Sequence, residues 1–267
     1  MTEAIETETD AVEDERKGGF RETLSTVLWA LGIAFVLRTF IFQPFHIPSG
    51  SMVPGLVQGD YIITSKYSVG YGKHAATPFP FPVKNGRLLE RELKRGDVIV
   101  FRPEGDNKNF IKRVIGLPGD QVQVKQGLLY LNGEPVPVEM AGKYDYTNNS
   151  GIVENADVLI ETLPNGHTQT ILDARKNTPH LDQTKVNTVP AGHYFLMGDN
   201  RDHSYDSRVP VIPESEGGVG GGAGIVPKEN IIGRAEIVLL SVNEDFVLVK
   251  PWTWLNMRKD RWFKKIK

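Results

Sequence analysis

TLSTVLWALGIAFVLRTFIF, residues Thr23–Phe42, is the stretch of this 267-residue chain that comes nearest to the length and character of a bilayer crossing. It carries no charge from Thr23 to Leu37 and resumes its apolar character beyond Arg38, giving about 20 residues, one bilayer thickness as a helix. Arg38 is tolerable near one end, where its stem lies along apolar groups while the guanidinium snorkels to the interface. Gln43-Pro44 then ends the helix. A cleaved secretory signal would have a basic start and a small-residue cleavage site. Here the start is acidic and the span runs into Phe40-Ile41-Phe42-Gln43-Pro44, so an uncleaved anchor over residues 23–42 is expected.

Upstream, residues 1–16 hold seven acidic side chains and one basic, so residues 1–22 are expected to form a disordered acidic tail. Arg16, Lys17 and Arg21 precede the span and Arg38 sits at its far end, which by the positive-inside rule favours a cytoplasmic N-terminus. Residues 43–267 then lie on the extracytoplasmic face of the plasma (inner) membrane. A net charge of -2 gives no electrostatic case for nucleic acid as a partner. The chain has no cysteine, which excludes disulfides, zinc-thiolate sites and a cysteine nucleophile.

Downstream of the anchor the pattern becomes strand-like. Tyr61-Ile62-Ile63-Thr64, Val98-Ile99-Val100-Phe101, Gln121-Val122-Gln123-Val124 and Ile237-Val238-Leu239-Leu240 are rich in β-branched and aromatic residues. Gly59-Asp60, Gly96-Asp97 and Gly119-Asp120 stand immediately before three of these runs and read as turns. Asp157–Glu161 and Thr168–Leu172, separated by a segment containing Pro164-Asn165-Gly166, read as a hairpin in a more polar region at about 140–190, a candidate inserted subdomain. The fold class expected is mostly β: a β region over 43–267 with an inserted β subdomain, preceded by one transmembrane helix.

Several motif readings fail. The glycine-rich run 217–224 lacks the Lys-Ser/Thr of a phosphate loop and reads as a flexible surface loop. Asp199–Pro210 has Ser204 where a calcium loop needs glycine and Pro210 where it needs glutamate. The six histidines have no metal spacing, so no metal and no cofactor are expected.

Two segments carry candidate chemistry. Ser51 lies in a compact turn, Ile47-Pro48-Ser49-Gly50-Ser51-Met52, close behind the anchor, and Lys112 lies among Phe110, Ile111, Val114 and Ile115. A lysine activates a serine only when it has lost its proton, and its reference pKa of ~10.4 requires an environment hostile to charge. Apolar neighbours supply that, provided strand alternation sends Arg113 to the opposite face. Taken singly, Ser51 reads equally as a turn serine and Lys112 as a solvated strand lysine.

The joint pattern closely resembles type I signal peptidase, the membrane-bound serine protease that removes signal peptides. The resemblance rests on four boxes in family order: Pro44–Pro54, Gly96–Phe101, Lys112–Asp120 and Gly198–Arg208. It implies an antiparallel β-barrel-like catalytic region, Ser51 as nucleophile and Lys112 as general base. It further implies an oxyanion hole from the Ser49 hydroxyl and the Ser51 backbone N–H, with Ser204 orienting the lysine and Asp206 and Arg208 bracing the site. The implied partners are the lipid bilayer and signal-peptide-bearing preproteins, whose small side chains enter shallow pockets lined by Phe45, Ile47, Leu56 and Ile111. A monomer is expected.

Gly55 stands where the family commonly has threonine, and His203 where it commonly has asparagine. The run Val209–Gly224 is longer and richer in glycine than the usual link. The C-terminal stretch from Pro251 mixes three tryptophans with six basic residues from Arg258 onward, which suits either an interfacial lipid contact or packing on the barrel. Other readings are a specialised pilin or conjugation-protein peptidase, a self-cleaving regulator with the same dyad, and a non-catalytic anchored peptide-binding domain.

Overall fold

The computed structural model describes residues 21–74, 86–147, 152–174, 178–211, 221–243, 246 and 250–267. Most of the acidic tail and Gly217–Gly220 of the glycine-rich run lie outside the described residues. The chain divides into two units, Met1–Ile41 and Phe42–Lys267.

In the first unit a helix runs over Arg21–Ile41, α-helical to residue 36 and π-helical through Leu37–Ile41. At 1.5 Å per residue it is roughly 30 Å long, and it is long and apolar enough to cross a membrane. Leu24, Val27, Leu28, Trp29, Leu31, Ile33, Phe35 and Val36 are all exposed along it, so its apolar surface is not confined to a single stripe.

The second unit is mostly β. Its main sheet is a curled antiparallel half-barrel in the order β1 (Phe42–His46), β2 (Asp60–Ser65), β14 (Ile231–Ser241), β3 (Val98–Phe101), β4 (Phe110–Gly116), β12 (His193–Met197), β13 (Val226–Pro227). A short strand, β15 (Lys264–Lys265), pairs with β14. A smaller sheet joins β11 (Asn187–Thr188), β5 (Gln121–Lys125), β6 (Leu128–Leu131) and β7 (Glu134–Pro135). A third joins β8 (Val138–Thr147), β9 (Val153–Thr162) and β10 (Thr168–Asp173), and Asp157 to Glu161 pair with Asp173 to Gln169 within it.

The Gly-Asp pairs share one turn chemistry. Gly59, Gly96 and Gly119 have φ of +90°, +94° and +91°, a region that side chains with a Cβ rarely enter. In each the following aspartate accepts a hydrogen bond from the backbone N–H three residues earlier: Val57 to Asp60 at 2.9 Å, Lys94 to Asp97 at 2.8 Å and Leu117 to Asp120 at 2.6 Å. The carboxylate thus closes the turn locally before the next strand begins.

Apolar clusters fill the half-barrel. One gathers Ile47, Met52, Leu56, Ile62, Val98, Val100 and Ile111, and another gathers Ile99, Phe101, Val114, Leu196 and Ile231. β4 is buried along nearly its whole length. The β8–β10 sheet packs Tyr146, Ala156 and Leu172 against Val53, placing it beside the turn that holds Ser51.

Candidate active site

The turn bearing Ser51 is pinched at its base. Ile47 N donates to Asp60 O at 2.8 Å and Gly59 N to Ile47 O at 3.0 Å, continuing the β1–β2 pairing and leaving the residues between to fold back. Leu56 N closes on Met52 O at 2.8 Å, while Met52 and Leu56 bury their side chains. Ser51 is 8% exposed and faces inward.

Lys112 comes from β4, opposite Ile99 of β3. It is 4% exposed, and its Nζ is hydrogen-bonded to Ser51 Oγ at 2.8 Å. The Phe110 ring, two residues earlier on the same face, lies 5.7 Å from Nζ. Burial pulls the Lys112 pKa from the ordinary lysine value down to about 8. Asp206 and Asp199 oppose that displacement and Arg208 assists it. A lysine so placed is substantially neutral at mildly alkaline pH and can take a proton from the hydroxyl it touches.

Strand alternation sends Arg113 to the face opposite Lys112, as the sequence requires, but the charge does not reach solvent. Its guanidinium makes two hydrogen bonds to Asp199, at 2.8 and 2.7 Å, and one to Gly96 O at 2.8 Å. Gly55 explains how this pair fits: a Cβ there would stand 2.8 Å from Asp199 Oδ2. The glycine that departs from the family pattern is therefore in direct contact with the buried ion pair.

The polar loop 198–208 closes the site from the other side. Asn200 N donates to Ser51 O at 3.1 Å and Asn200 Nδ2 to Gly50 O at 3.2 Å, fixing the serine turn through its carbonyls. Asp206 is fully buried and bound by Arg208 through both oxygens at 2.9 Å, and it also accepts from Gly198 N at 3.0 Å. Burial alone would raise the Asp206 carboxyl, but the Arg208 charge and these bonds outweigh it and hold the group below the usual range. Arg208 reaches on to Arg201 O at 2.6 Å, and Arg201 is paired with buried Glu161 of β9.

Of the sequence-predicted residues, Ser51 and Lys112 meet directly, and Asp206 and Arg208 form a pair beside them. Ser204 is buried against Gly198, where a Cβ would lie 2.3 Å from its Oγ and 2.5 Å from Ser51 O. Among the described residues its hydroxyl makes no hydrogen bond to Lys112, and it lies toward the Asp206 carboxylate, which it helps to hold below the usual range. Ser49 is half-buried, two residues before Ser51. Phe45, Ile47, Leu56 and Ile111 share one apolar cluster, but Ile47 and Leu56 are within its core at 2% and 1% exposure. Sequence reasoning assigned no role to Asn200, to the Arg113–Asp199 pair or to Glu161. The first three lie inside boxes already singled out, where so many polar groups beside apolar strands was the available signal.

His203, in place of asparagine, has Nε2 2.7 Å from Glu154 Oε2, and Tyr146 OH donates to the same oxygen at 3.0 Å. The departure thus joins the loop to the β8–β10 sheet.

A family model described as "Signal peptidase, peptidase S26" matches residues 20–240. The chain is 35% identical over 262 residues to signal peptidase I of Rickettsia akari, covering 90% of this chain and 92% of that protein. It is 36% identical over 242 residues to signal peptidase I of Rickettsia felis, covering 88% and 85%. A crystal structure of a signal peptidase I from Enterococcus faecalis aligns with 26% identity over 54% of this chain and 97% of that one, at a TM-score of 0.30, too low to inform the fold. With a serine held against a buried lysine and relatives of this kind along most of its length, the chain belongs to the signal peptidase family, peptidase S26, and is a serine endopeptidase.

Proposed function

We propose that this chain is a membrane-anchored signal peptidase that cuts exported preproteins after small residues, at sites of the Ala-x-Ala type, with Ser51 as nucleophile and Lys112 as general base. The observation that carries the reading is the 2.8 Å hydrogen bond between Ser51 Oγ and a lysine whose pKa burial has lowered to about 8. Neutral Lys112 takes the Ser51 proton as Oγ attacks the scissile carbonyl, then delivers it to the departing amine as the tetrahedral intermediate collapses. A water, activated by the same lysine, releases the acyl group. The Ser49 hydroxyl and Ser51 N–H receive the developing oxyanion, where one donor is typically worth ~10²–10³ in rate. Asp206 and Arg208 fix the loop behind the lysine, and Asn200 fixes the serine turn. Ser204 borders this arrangement at the Ser51 carbonyl.

The substrate enters extended, as an added strand, with backbone pairing for affinity. Phe45, half-buried, borders the apolar cluster that buries Ile47, Leu56 and Ile111, and shallow pockets along this cluster would take small side chains. The helix over Arg21–Ile41 spans the bilayer with its N-terminus in the cytoplasm, so enzyme and signal share one surface and a raised effective concentration.

The test is cleavage of a preprotein with an Ala-x-Ala site by the full chain in detergent, with sequencing of the new N-terminus. Cleavage after the second alanine by wild type, and none by Ser51→Ala or Lys112→Ala, is the expected result. Activity surviving Ser51→Ala overturns the mechanism.

A further inference from the structure

The segment Arg258–Lys267 grips both halves of the site at once. At one end Arg261, 9% exposed, donates to both oxygens of fully buried Asp60, at 3.0 and 2.6 Å, and to Gly55 O at 3.0 Å. Arg258 Nη1 donates to Gln58 O at 2.8 Å. All these acceptors lie in the 47–60 turn that carries Ser51, and Asp60 is also the residue whose carbonyl takes Ile47 N at its base. At the other end Lys267 O accepts from Arg113 Nη1 at 2.6 Å, next to Lys112 in β4. Between the two, β15 pairs with β14, and Ile266 packs on the cluster containing Ile47, Met52, Leu56 and Ile111.

Asn200 ties the serine turn to the 198–208 loop through the carbonyls of Gly50 and Ser51, and the other side of the turn, toward the sheet, needs a support of its own. Ser51 lies beyond the end of the β1–β2 ladder, in a stretch with no strand pairing of its own, whereas Lys112 is held within β4, paired with Ile99 of β3 and next to Arg113, which pairs with β12. Their approach is therefore set by whatever ties the turn to the sheet. A buried guanidinium fork on a carboxylate is directional as well as strong, and it holds both the height and the tilt of the turn.

We infer that residues 258–267 are a clasp that sets the Ser51–Lys112 approach, with Arg261 as its positioning residue acting through Asp60 and Gly55. The inference rests on Ser51 and Lys112 being the reacting pair. Arg261 touches neither, so its loss acts through geometry. A serine turn displaced by an ångström costs on the order of a hundredfold in rate while leaving the peptide-binding strands in place. It also lets water reach Lys112, which then titrates nearer an ordinary lysine under the remaining charges of Asp199, Asp206 and Arg208.

The test measures preprotein cleavage by the full chain in detergent for wild type, Arg261→Ala, Arg261→Lys and Asp60→Asn, normalised to the folded fraction from thermal unfolding, with Ser51→Ala as blank. Arg261→Ala should lose about a hundredfold in kcat with KM within about threefold, and its acid limb should move to higher pH. Asp60→Asn should lose rate in the same way, and the double variant should lose no more than the worse single one. Arg261→Lys, which keeps the charge but not the fork, should fall between. If Arg261→Ala does not fold, Arg261→Lys decides alone. Wild-type kcat per folded molecule with the acid limb unmoved overturns the clasp, even where the melting temperature falls. Cleavage by Ser51→Ala is a different failure: it removes the Ser-Lys reading and the premise of the clasp with it.

Discussion

Replacing Lys112 by methionine should give a protein that is inactive and yet more stable at neutral pH. Lys112 is 4% exposed, and burial is the largest of the influences that lower its pKa from 10.5 to about 8. The gap is about 2.5 pH units, roughly 3 kcal/mol at ~1.36 kcal/mol per unit. Below about pH 8 both folded and unfolded chains carry the proton, and the folded chain bears the full cost of burying it. Between about 8 and 10.5 the folded chain has released the proton while the unfolded chain keeps it, so stability rises with pH across that window. Methionine has a similar length and no charge to desolvate. Against the gain stands the 2.8 Å bond, whose loss leaves Ser51 Oγ without that partner at a cost of about 1 kcal/mol. The net is about 2 kcal/mol in favour of the variant at pH 7, or roughly 4–8 °C in melting temperature for a chain of this size. Above pH 10.5 the order should reverse. Thermal unfolding of both proteins in detergent, followed by tryptophan fluorescence at pH 7 and pH 10, measures this. A variant less stable than wild type at pH 7, or a difference that does not shrink by pH 10, would refute the reasoning. The same lowered pKa sets activity: kcat/KM should climb about tenfold per pH unit below 8 and level off above it.

Lys112→Arg should be as inactive as Lys112→Ala, because a guanidinium cannot give up its proton in a protein; measurable turnover at pH 9 would exclude Lys112 as base. Gly55→Ala places a Cβ 2.8 Å from Asp199 Oδ2, so the Arg113–Asp199 pair must shift, and a stability loss of about 1–3 kcal/mol should appear as a lower melting temperature. Glu161→Ala leaves Arg201 buried without its carboxylate and should cost about 3–5 kcal/mol, with a loss of cleavage because Arg201 O holds Arg208. Wild-type melting and cleavage in that variant would show the pair to be dispensable.

Much of the architecture was legible in the chain. Alternating β-branched runs located β2, β3, β5 and β14, and the Gly-Asp pairs marked the turns before three strands, because turn and strand chemistry depends on neighbours within a few residues. The hairpin of β9 and β10 was visible for the same reason. Ser51 and Lys112 were visible as candidates, each with a commonplace alternative reading, and only the fold brings the two together. What the chain did not disclose were the partners of its buried polar groups. Arg113 looked like a charge to be turned away from the site, and it is instead a buried tie to Asp199. Ser204 looked like a ligand for the lysine, and the fold buries it against Gly198, on the side of Asp206. Arg258 and Arg261 looked like part of a basic terminal run, and they reach across the fold to the serine turn.

By itself, then, the sequence determined an apolar helix long enough to cross a membrane, a mostly β region after it, and a serine and a lysine in settings where the one could serve as nucleophile and the other as base. The tertiary structure alone decided that Ser51 and Lys112, 61 residues apart, meet at 2.8 Å, and that Arg261, 201 residues from Asp60, binds the turn that carries Ser51. The division follows from range. Periodicity and turn preference act within a few residues and can be read along the chain, whereas a lysine loses its charge only where distant strands and loops close over it and exclude water.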